Sequence, residues 1–333
     1  MSVSVTVLDP RRDPEPPEWS AFAEAARLHA PWDYGLLGLE SRHAPHPTVL
    51  ALATLDGRLA GAMAASVVRG PLGVRLVEVH NPWLSGFVGW TFLDEIGARG
   101  RKLLLRRMER ELCRFAGLAC AGVFYRYLSE EEVPLVSGFG RLGRETVGAA
   151  VLDNRFTTVD EWISSLARSR RHSLRGQVRK VERDPDIVVR FAAARDDLDG
   201  AELAELVNRH RTRFGNPGFD NRGPVVAEYL HRLVRRDDVL SLTYHDGQGR
   251  LLAFADLLDN PGVPLYQHWA ALSKDEGGKQ HLYFDSYARM MGHVVGNGRE
   301  GLSAGRGKLE LKQSLGLQPR RRWAAAVPRP VAG

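Results

Sequence analysis

The chain has 333 residues, of which 44% are hydrophobic and 26% charged, so it can bury a sizeable core and is long enough for about two domains. No apolar run approaches the roughly 18 residues of a membrane span, and the N-terminus lacks the order of a signal peptide, so we expect a cytoplasmic protein. Lys and Arg outnumber Asp and Glu by 46 to 40, and this net charge of +6 favours an anionic partner such as a nucleotide, CoA or RNA, unless the arginines only solvate helix faces.

The first half predicts a hairpin, a strand, a helix and further strands. After a proline-rich stretch over 1–20, "SAFAEAARLHAPW" has the apolar spacing of a short amphipathic helix, and we expect the fold to begin there. Two apolar runs flank Asp56-Gly57, which suits the positive φ of a tight hairpin turn. The later elements are the strand "VRLVEVHNPW", the helix "RKLLLRRMERELCRFAGLA" and the strands "CAGVFYRYL" and "TVGAAVLD". The two cysteines, Cys113 and Cys120, fit neither a disulfide framework nor a zinc site, and we interpret them as core residues.

The second half repeats that order. It opens with the basic helical stretch "VDEWISSLARSRRHSLRGQVRKVERDPD", the strand "IVVRFAA" and two amphipathic helices, "AELAELVNRHRTRF" and "VVAEYLHRLVRR". A second hairpin is expected around Asp246-Gly247, then a strand at "VPLYQHWAALS", a helix at "HLYFDSYARMMGHVVGNG" and a last strand at "GLSAG". Two related α+β domains, 1–154 and 155–333, are the simplest interpretation, each with a mixed, mostly antiparallel sheet flanked by helices.

Each half has a glycine-rich basic loop before its main helix, "GARGRK" in the first and "GGKQ" in the second. Unpaired backbone N–H groups and the positive end of the helix dipole favour a phosphate or pyrophosphate at such a point. We therefore take Arg99, Arg101, Gly278 and Lys279 as candidates for binding the phosphates of a carrier. The alternative is that the glycines only make tight turns.

The loop and helix of the first half, "ARGRKLLLRRMERELCRFAGL", resemble those of the GNAT acyltransferase superfamily, whose pyrophosphate loop has the form Q/R-x-x-G-x-G/A, with Lys102 in place of the last Gly or Ala. A closer resemblance, clear over 155–323, is to the double-GNAT proteins of the FemABX type and the related BioF2-like acetyltransferase domain. It rests on "SRRHSLRGQVRKVE", "LLAFADLL", "LYFDSYARM" and "GLSAGRGKLELKQSLG". The resemblance implies amide formation, from aminoacyl-tRNA in FemABX-type enzymes and from acyl-CoA in other members of the wider group. We expect no tightly bound cofactor.

The end of the second half is glycine-rich and basic. Lys308 and Lys312 lie four residues apart, so in a helix their ammonium groups share one face and can meet a phosphate together. Their likeness to the K-x-x-x-K of the family suggests a role with a phosphate-bearing substrate, beside Arg306, and Arg320–Arg322 would extend the basic surface. Alternatively, the lysines pair with Glu310 and neighbouring carboxylates on a solvated face.

The basic helix at 168–183 would track a tRNA backbone if its cations faced one groove. Helical periodicity spreads the cations over more than one face, so we expect several of them to be only solvated. No aromatic-rich recognition motif accompanies them, and we expect no sequence-specific reading of RNA.

No nucleophile motif such as G-x-S-x-G is present, which favours direct attack of an amine on an activated ester or thioester. Asp256 is the leading candidate for taking the proton, because a carboxylate inside an apolar strand needs a partner. His268 is the second candidate, unless it is a satisfied sheet histidine. In an alternating strand His268 shares a face with Tyr266. Gln267 and Trp269 then lie on the other face.

Candidate substrate-binding residues lie on or near these strands and at a strand end in the first half. They are Tyr266, Trp269, Tyr283, Tyr287, His80, Asn81 and Trp83. The alternative is that the tyrosines pack a core and that the Asn-Pro pair stabilises a turn. The sequence contains no metal-binding motif, so no metal is implied.

The sequence thus predicts an N-acyltransferase that moves an aminoacyl group from aminoacyl-tRNA to an amine without a covalent enzyme intermediate. Its partners would be tRNA and an amine-bearing molecule such as a cell-wall precursor, a lipid or a natural-product intermediate. Two alternatives stay open. The donor could be an acyl-CoA, or the chain could be a non-catalytic RNA-binding protein on a degenerate GNAT scaffold.

Overall fold

Two groups of residues pack mainly among themselves in the computed structural model, which describes residues 2–80, 87–214, 223–260 and 262–333. The first unit ends at Gly148 and takes in Arg321–Gly333 as well. The second contains most of the residues between Ala149 and Arg320. The predicted boundary after residue 154 therefore lies a few residues beyond the observed one. The final segment, predicted in the second domain, belongs to the first unit because its strand pairs there.

The first unit is built on a mostly antiparallel sheet. Its elements are β1 (Val3–Leu8), α1 (Trp19–Ala25), α2 (Tyr34–His43), β2 (Thr48–Leu55), β3 (Arg58–Arg69), β4 (Arg75–Val79), β5 (Trp90–Phe92), α3 (Ala98–Ala116), β6 (Cys120–Leu128) and α4 (Val133–Val136). Strands β1 to β4 pair antiparallel in chain order, β5 pairs with β3, and β6 lies parallel to β4. The predicted β2–β3 turn is confirmed, since Asp56 and Gly57 have φ of 49° and 84°.

The second unit repeats this plan. Its elements are the end of β7 (Leu142–Asp153), α5 (Val159–Ser165), α6 (Arg168–Arg183), β8 (Val188–Ala193), α7 (Gly200–Phe214), α8 (Ala227–Leu233), β9 (Val239–His245), β10 (Leu251–Leu258), β11 (Leu265–Ala271), α9 (Leu282–Gly296), β12 (Gly301–Ser303) and α10 (Leu309–Ser314). Strand β13 (Gln318–Pro328) starts in this unit, and from Arg321 onward it belongs to the first. Strands β8 to β11 pair antiparallel in chain order, β12 lies parallel to β11, and the end of β7 pairs with β12. The end of β13 pairs antiparallel with β6 in the first unit.

Helix α3 shows how a period of about 3.6 residues positions an element. Its buried residues recur every three or four positions and include Leu104, Leu105, Met108 and Leu112. They pack into the core of the first unit, against β1 and β2 among others, and leave the arginines outside. In the second unit α9 is buried in the same way, with Met290, Met291 and Val294 fully covered.

The predicted α+β fold class is confirmed. The elements that were not predicted include the short β5 and α4 as well as β1, α2 and β13. Strand β1 lies in the stretch expected to precede the fold, yet it pairs with β2 over six positions. Helix α2 begins after Asp33, whose carboxylate caps it by accepting from the Leu36 N–H at 2.8 Å. Strand β13 contains the arginine cluster predicted as open basic surface. In the described part of the chain, no helix has both the length and the apolar character needed to cross a membrane.

Candidate active site

The second unit has an opening between two parallel strands. Strand β11 pairs with β10 along its length but with β12 only through Leu265 and Ser303, among the described residues. Past that pair the chain follows β7 instead, and the Ala304 N–H donates to the Ala150 carbonyl at 2.9 Å. On this side β11 has no paired strand beyond Leu265 within the described ranges. The outward N–H and C=O groups of β11 between Leu265 and Ala271 can therefore serve a ligand. At Ala271 the backbone N–H and C=O instead meet His210 and Arg213 of α7.

A histidine on β11 is held by a buried carboxylate on β10. The Asp256 Oδ1 accepts from the His268 backbone N–H at 2.7 Å, and Oδ2 lies 2.7 Å from His268 Nδ1. Asp256 is fully buried and the His268 side chain is 10% exposed. Because a carboxylate is an acceptor, Nδ1 carries the proton and Nε2 is the basic nitrogen of the ring. The same carboxylate stabilises the imidazolium that forms when Nε2 takes a proton, so the pair can act as a general base.

The strands bulge at this histidine. The pairing register shifts so that Gln267 and His268 of β11 face the single residue Asp256 of β10. The extra residue breaks the alternation of side chains, and Tyr266 and Trp269 both contact α9. His268 contacts Asp256 on the other face of the sheet. The predicted shared face of His268 and Tyr266 is therefore wrong, and so is the predicted placement of Trp269 opposite Tyr266.

Gln267 is a polar residue that sequence reasoning did not select. Both polar atoms of its amide are buried and have no hydrogen-bond partner within the described parts of the chain. Leaving a buried polar group unpaired costs about 1–3 kcal/mol, so such a group calls for an explanation. One explanation is a bound ligand that supplies the missing hydrogen bonds. The signal in the sequence was a glutamine inside an apolar strand, but the bulge that aims it leaves no mark in composition or period.

The predicted aromatic residues form a wall of side chains between β11 and α9. The ring centroids of Trp269 and Tyr283 lie 5.3 Å apart, and those of Tyr266 and Tyr287 lie 5.1 Å apart. Burial raises the pKa of Tyr283, and it raises the pKa of Tyr266 and that of Tyr287 well above the usual value. These hydroxyls therefore stay protonated and shape the site without exchanging protons. Only Trp269 and Tyr283 are partly exposed, so they are the members that can touch a ligand.

The two lysines predicted to share a phosphate point to different surroundings. Lys308 precedes α10 in a left-handed conformation, with φ of 49°, so the two residues do not lie on one helical face. The Lys312 side chain is buried, and its ammonium donates to the Ala304 carbonyl. Burial, followed by the charge of Lys308, lowers the pKa of Lys312 to about 8. The Lys308 ammonium is exposed and lies 4.4 Å from the centroid of the Phe214 ring, and Arg306 is exposed beside it.

The second glycine loop has partners of its own. The Lys279 ammonium lies 3.0 Å from the Asp184 carboxylate and 3.6 Å from that of Asp186, and the hydrogen bond to Asp184 raises the pKa of Lys279. A Cβ at Gly278 would lie 2.2 Å from the Leu272 carbonyl oxygen, so the backbone approach there admits only glycine. Gly278 thus packs against the end of β11, and Lys279 ties the start of α9 to the end of α6.

The glycine-rich loop predicted in the first unit is part of a helix. Helix α3 begins at Ala98, so Arg99 and Arg101 lie in its first turns. The Arg101 Nε donates to the Ile96 carbonyl at 2.7 Å, while Arg99 is exposed. Of the two glycines in this segment, Gly97 is the N-cap of α3 and Gly100 lies within its first turn, so the segment has no separate glycine loop before the helix.

The histidine proposed for the first unit is a buried residue at the end of β4. His80 Nε2 lies 2.9 Å from the Ser66 hydroxyl oxygen. The neighbouring candidates, Asn81 and Trp83, lie outside the described residues.

The arginines of β13 are largely paired, since Arg320 contacts the Asp153 carboxylate and Arg321 lies 2.7 Å from that of Glu145.

One face of α6 carries what we call the arginine stripe. Its members are Arg168, Arg171, Arg175 and Arg179, which line an open groove of about 940 Å³ together with Ser169 and His172. Steps of three or four residues put the stripe on one side of the helix. Within it, Arg175 pairs with the Asp160 carboxylate at 2.6 Å. The expected spread over several faces holds only for other cations, such as Arg170, which lies 5.0 Å from the centroid of the Phe284 ring.

A family match covers these features. Residues 168–313 match the family model described as Acetyltransferase (GNAT) domain, a range that includes the arginine stripe, the Asp256–His268 pair and the aromatic wall. The second unit thus carries an acyltransferase domain of the GNAT type. The predicted resemblance is thereby confirmed on the unit that carries the opening and the general-base pair. By sequence, the search among curated proteins found no match.

Solved structures show the fold of the whole chain. L-PGS from Bacillus licheniformis is similar with a TM-score of 0.63 and 14% identity, over 94% of this chain and 92% of that one. FemX is similar with a TM-score of 0.58 and 11% identity, over 94% of this chain and 96% of that one. A tandem GNAT protein from the clavulanic acid biosynthesis pathway has a TM-score of 0.50 and 15% identity, over 98% of this chain and 99% of that one. The architecture is thus a FemABX-like double GNAT fold.

Proposed function

We propose that this acyltransferase moves an aminoacyl group from aminoacyl-tRNA to an amine and so forms an amide. The observation that carries the proposal is the arginine stripe on α6. From Arg168 to Arg179 the helix rises about 16 Å, which is long enough to meet several successive phosphates of a nucleic acid backbone. A single pyrophosphate would need only a small part of that length.

The cations predicted to hold the pyrophosphate of CoA support an acyl-CoA donor less well. Lys279 is paired with two carboxylates, and Lys312 is buried against a carbonyl. The stripe, by contrast, has Asp160 as its carboxylate partner at one position and keeps Arg168 and Arg179 exposed. The FemABX-like fold supports the same donor, since the resemblance implies aminoacyl-tRNA.

We place the aminoacyl ester in the opening between β11 and β12. A backbone edge without a paired strand can hydrogen-bond an extended chain of amide and ester groups, as a further strand would. The exposed parts of Trp269 and Tyr283 lie on the α9 side of β11, and His268 lies on the other. The donor can therefore lie along β11 with apolar contacts on one side and the general base on the other.

The chemistry needs one proton acceptor and one donor to an oxyanion. The acceptor amine attacks the ester carbonyl, a C–N bond forms, and His268 Nε2 takes the proton that the nitrogen loses. Asp256 stabilises the resulting imidazolium. Collapse of the tetrahedral intermediate breaks the C–O bond to the terminal ribose, and the imidazolium returns the proton to the departing ribose oxygen. The products are the amide and uncharged tRNA.

Gln267 is the residue that we assign to the developing oxyanion. Its amide is buried, lacks a partner among the described residues and belongs to the same bulge as His268. A preorganised donor in such surroundings stabilises negative charge far better than a solvated one. The same burial that makes the amide unfavourable in the free protein would make it effective in the transition state.

Two radiolabelled donors, aminoacyl-tRNA and acetyl-CoA, test which donor the enzyme uses. The protein is incubated with tRNA charged with radiolabelled amino acids and with the small-molecule fraction of a cell extract as the source of acceptor. We expect labelled amide product that resists mild alkali, and we expect ribonuclease added before the enzyme to abolish it. A parallel incubation with radiolabelled acetyl-CoA should give no enzyme-dependent product. Product from acetyl-CoA that is indifferent to ribonuclease would contradict the proposal.

A further inference from the structure

Two loop tips at one edge of the first unit expose apolar side chains to water. Leu72 is fully exposed in the β3–β4 connection, and Leu118 is 94% exposed in the α3–β6 connection. Phe115 and Val74, beside them, are 48% and 45% exposed. We call these four side chains the apolar tip patch. Leucines at protruding tips contribute nothing to the core, and clustered exposed apolar groups mark an interaction site.

The two tips are held together at the same edge of the sheet. Strands β4 and β6 are parallel, so the loops that precede them meet there, and the Arg75 N–H donates to the Ala119 carbonyl at 3.0 Å. The Arg75 guanidinium donates to the Ala116 carbonyl at 2.7 Å. Arg329 donates to the carbonyls of Gly117 and Leu118. These cations satisfy the carbonyls at the end of α3 and fix the turn that aims Leu118 outward.

The surroundings of the patch are basic. Arg69 and Arg75 lie directly opposite each other in the β3–β4 ladder, an arrangement of like charges that weakens a sheet. Arg329 adds a third cation at the same edge, and Arg114 lies one turn from the tip, paired with Glu111. An anionic surface against this edge would relieve the repulsion between the guanidinium groups.

We propose that the apolar tip patch docks on an anionic lipid bilayer. Separate, fully exposed tips can each enter the region of the headgroups, whereas a protein partner fits a flat or concave patch better. The ring of arginines then matches the charge of acidic headgroups, so burial of leucine and charge attraction act at one edge. This surface concerns where the enzyme works and is independent of which donor it uses.

Vesicle sedimentation tests the proposal with the full chain. We expect the protein to pellet at low salt with vesicles that contain phosphatidylglycerol and to do so weakly with pure phosphatidylcholine. The double variant Leu72→Ser with Leu118→Ser should lower partitioning about 100-fold, since each buried leucine contributes roughly a factor of ten. The control is Phe139→Ser, which removes a side chain that is 97% exposed in the α4–β7 loop and should leave partitioning unchanged.

Three results would overturn this proposal. The wild-type protein could stay in the supernatant with phosphatidylglycerol vesicles at low salt. The double variant could bind vesicles as well as the wild type. Finally, sedimentation velocity could show a self-associated wild type that the double variant converts to monomer while vesicles have no effect. That outcome would make the patch a contact between copies of this chain. Because the readout is binding to vesicles, none of these results bears on the aminoacyl donor.

Discussion

The two units have the same order of hairpin, strand, helix and strand, but they differ at their parallel strands. In the first unit β4 and β6 are paired at five positions, from Arg75 and Cys120 to Val79 and Tyr125. In the second, β11 and β12 pair at one position within the described ranges. A closed pair has no backbone groups left for a ligand, whereas a divergent pair does. The comparison indicates that the repeated architecture supplies the scaffold and that the loss of pairing supplies the site.

The two units also differ in the side chain that one histidine contacts. In each unit, a histidine on or just after the strand that follows the hairpin contacts a side chain on the second strand of that hairpin. In the first unit His80 meets the hydroxyl of Ser66, and in the second His268 meets the carboxylate of Asp256. A hydroxyl can orient a ring but brings no charge to stabilise an imidazolium. The first unit therefore repeats the contact between neighbouring strands, but through Nε2 and a hydroxyl where the second unit has Nδ1 and a carboxylate.

The largest effect should come from removing that charge. Asp256→Asn keeps the size of the side chain and an acceptor for the His268 N–H, but its neutral amide no longer stabilises the imidazolium. We expect kcat for amide formation to fall roughly 10³-fold with little change in melting temperature. The matched change in the first unit, Ser66→Ala, should leave kcat unaltered. Normal turnover in Asp256→Asn, or equal losses in both variants, would break the distinction between the units.

Gln267→Leu should lower activity and raise stability together. The substitution removes an amide that has no partner among the described residues, so we expect the free energy of unfolding to rise by about 1 kcal/mol. If the amide meets the oxyanion, kcat should fall roughly 10²-fold while KM changes little. A purely structural glutamine would give the reverse pattern, with lower stability and normal kcat. Urea denaturation and steady-state kinetics on the same preparations separate the two.

The arginine stripe should control affinity for tRNA. Replacing the exposed Arg168 and Arg179 by glutamine should weaken binding about tenfold at moderate salt and lower the slope of log K against log salt by about two. The control is Arg99→Gln with Arg107→Gln, two exposed arginines of α3 in the first unit. Equal losses in both double variants would show that only the net charge matters and would remove the stripe from the site.

The smallest effect concerns the lysine that anchors the segment after β12. The pKa of Lys312 is lowered to about 8 by burial and by Lys308, whereas in the unfolded chain it lies near its ordinary value of 10.5. Between these values the unfolded state binds more protons, so folding gains stability as pH rises. From about pH 8 to 9 the wild type should gain about 1 kcal/mol relative to Lys312→Met, as measured by urea denaturation. A Lys308→Met variant should keep most of this pH dependence but shift it to higher pH, because it removes the smaller of the two causes and leaves burial. A flat difference for Lys312→Met would place its ammonium in water.

Local patterns in the sequence predicted the repeated elements and the leading carboxylate. The Asp56-Gly57 turn, the spacing of leucines in α3 and the carboxylate inside the apolar run of β10 are all short-range signals. What could not be predicted depends on contacts between distant segments. The pairing of β1 with β2 and of β13 with β6 is of this kind. So are the bulge that sends His268 and Tyr266 to opposite faces and the carboxylates that occupy Lys279.

Hydrogen exchange with a stable donor analogue tests the central claim most directly. The probe is tRNA whose terminal ribose carries an amino acid through an amide in place of the ester, so that no transfer occurs. We expect slower exchange of the β11 amides from Tyr266 to Ala270 and along α6, with no change in β4 of the first unit. Protection confined to β4 and β6, or no protection in β11 when tRNA is bound, would contradict the claim that the divergent strands of the second unit hold the aminoacyl group.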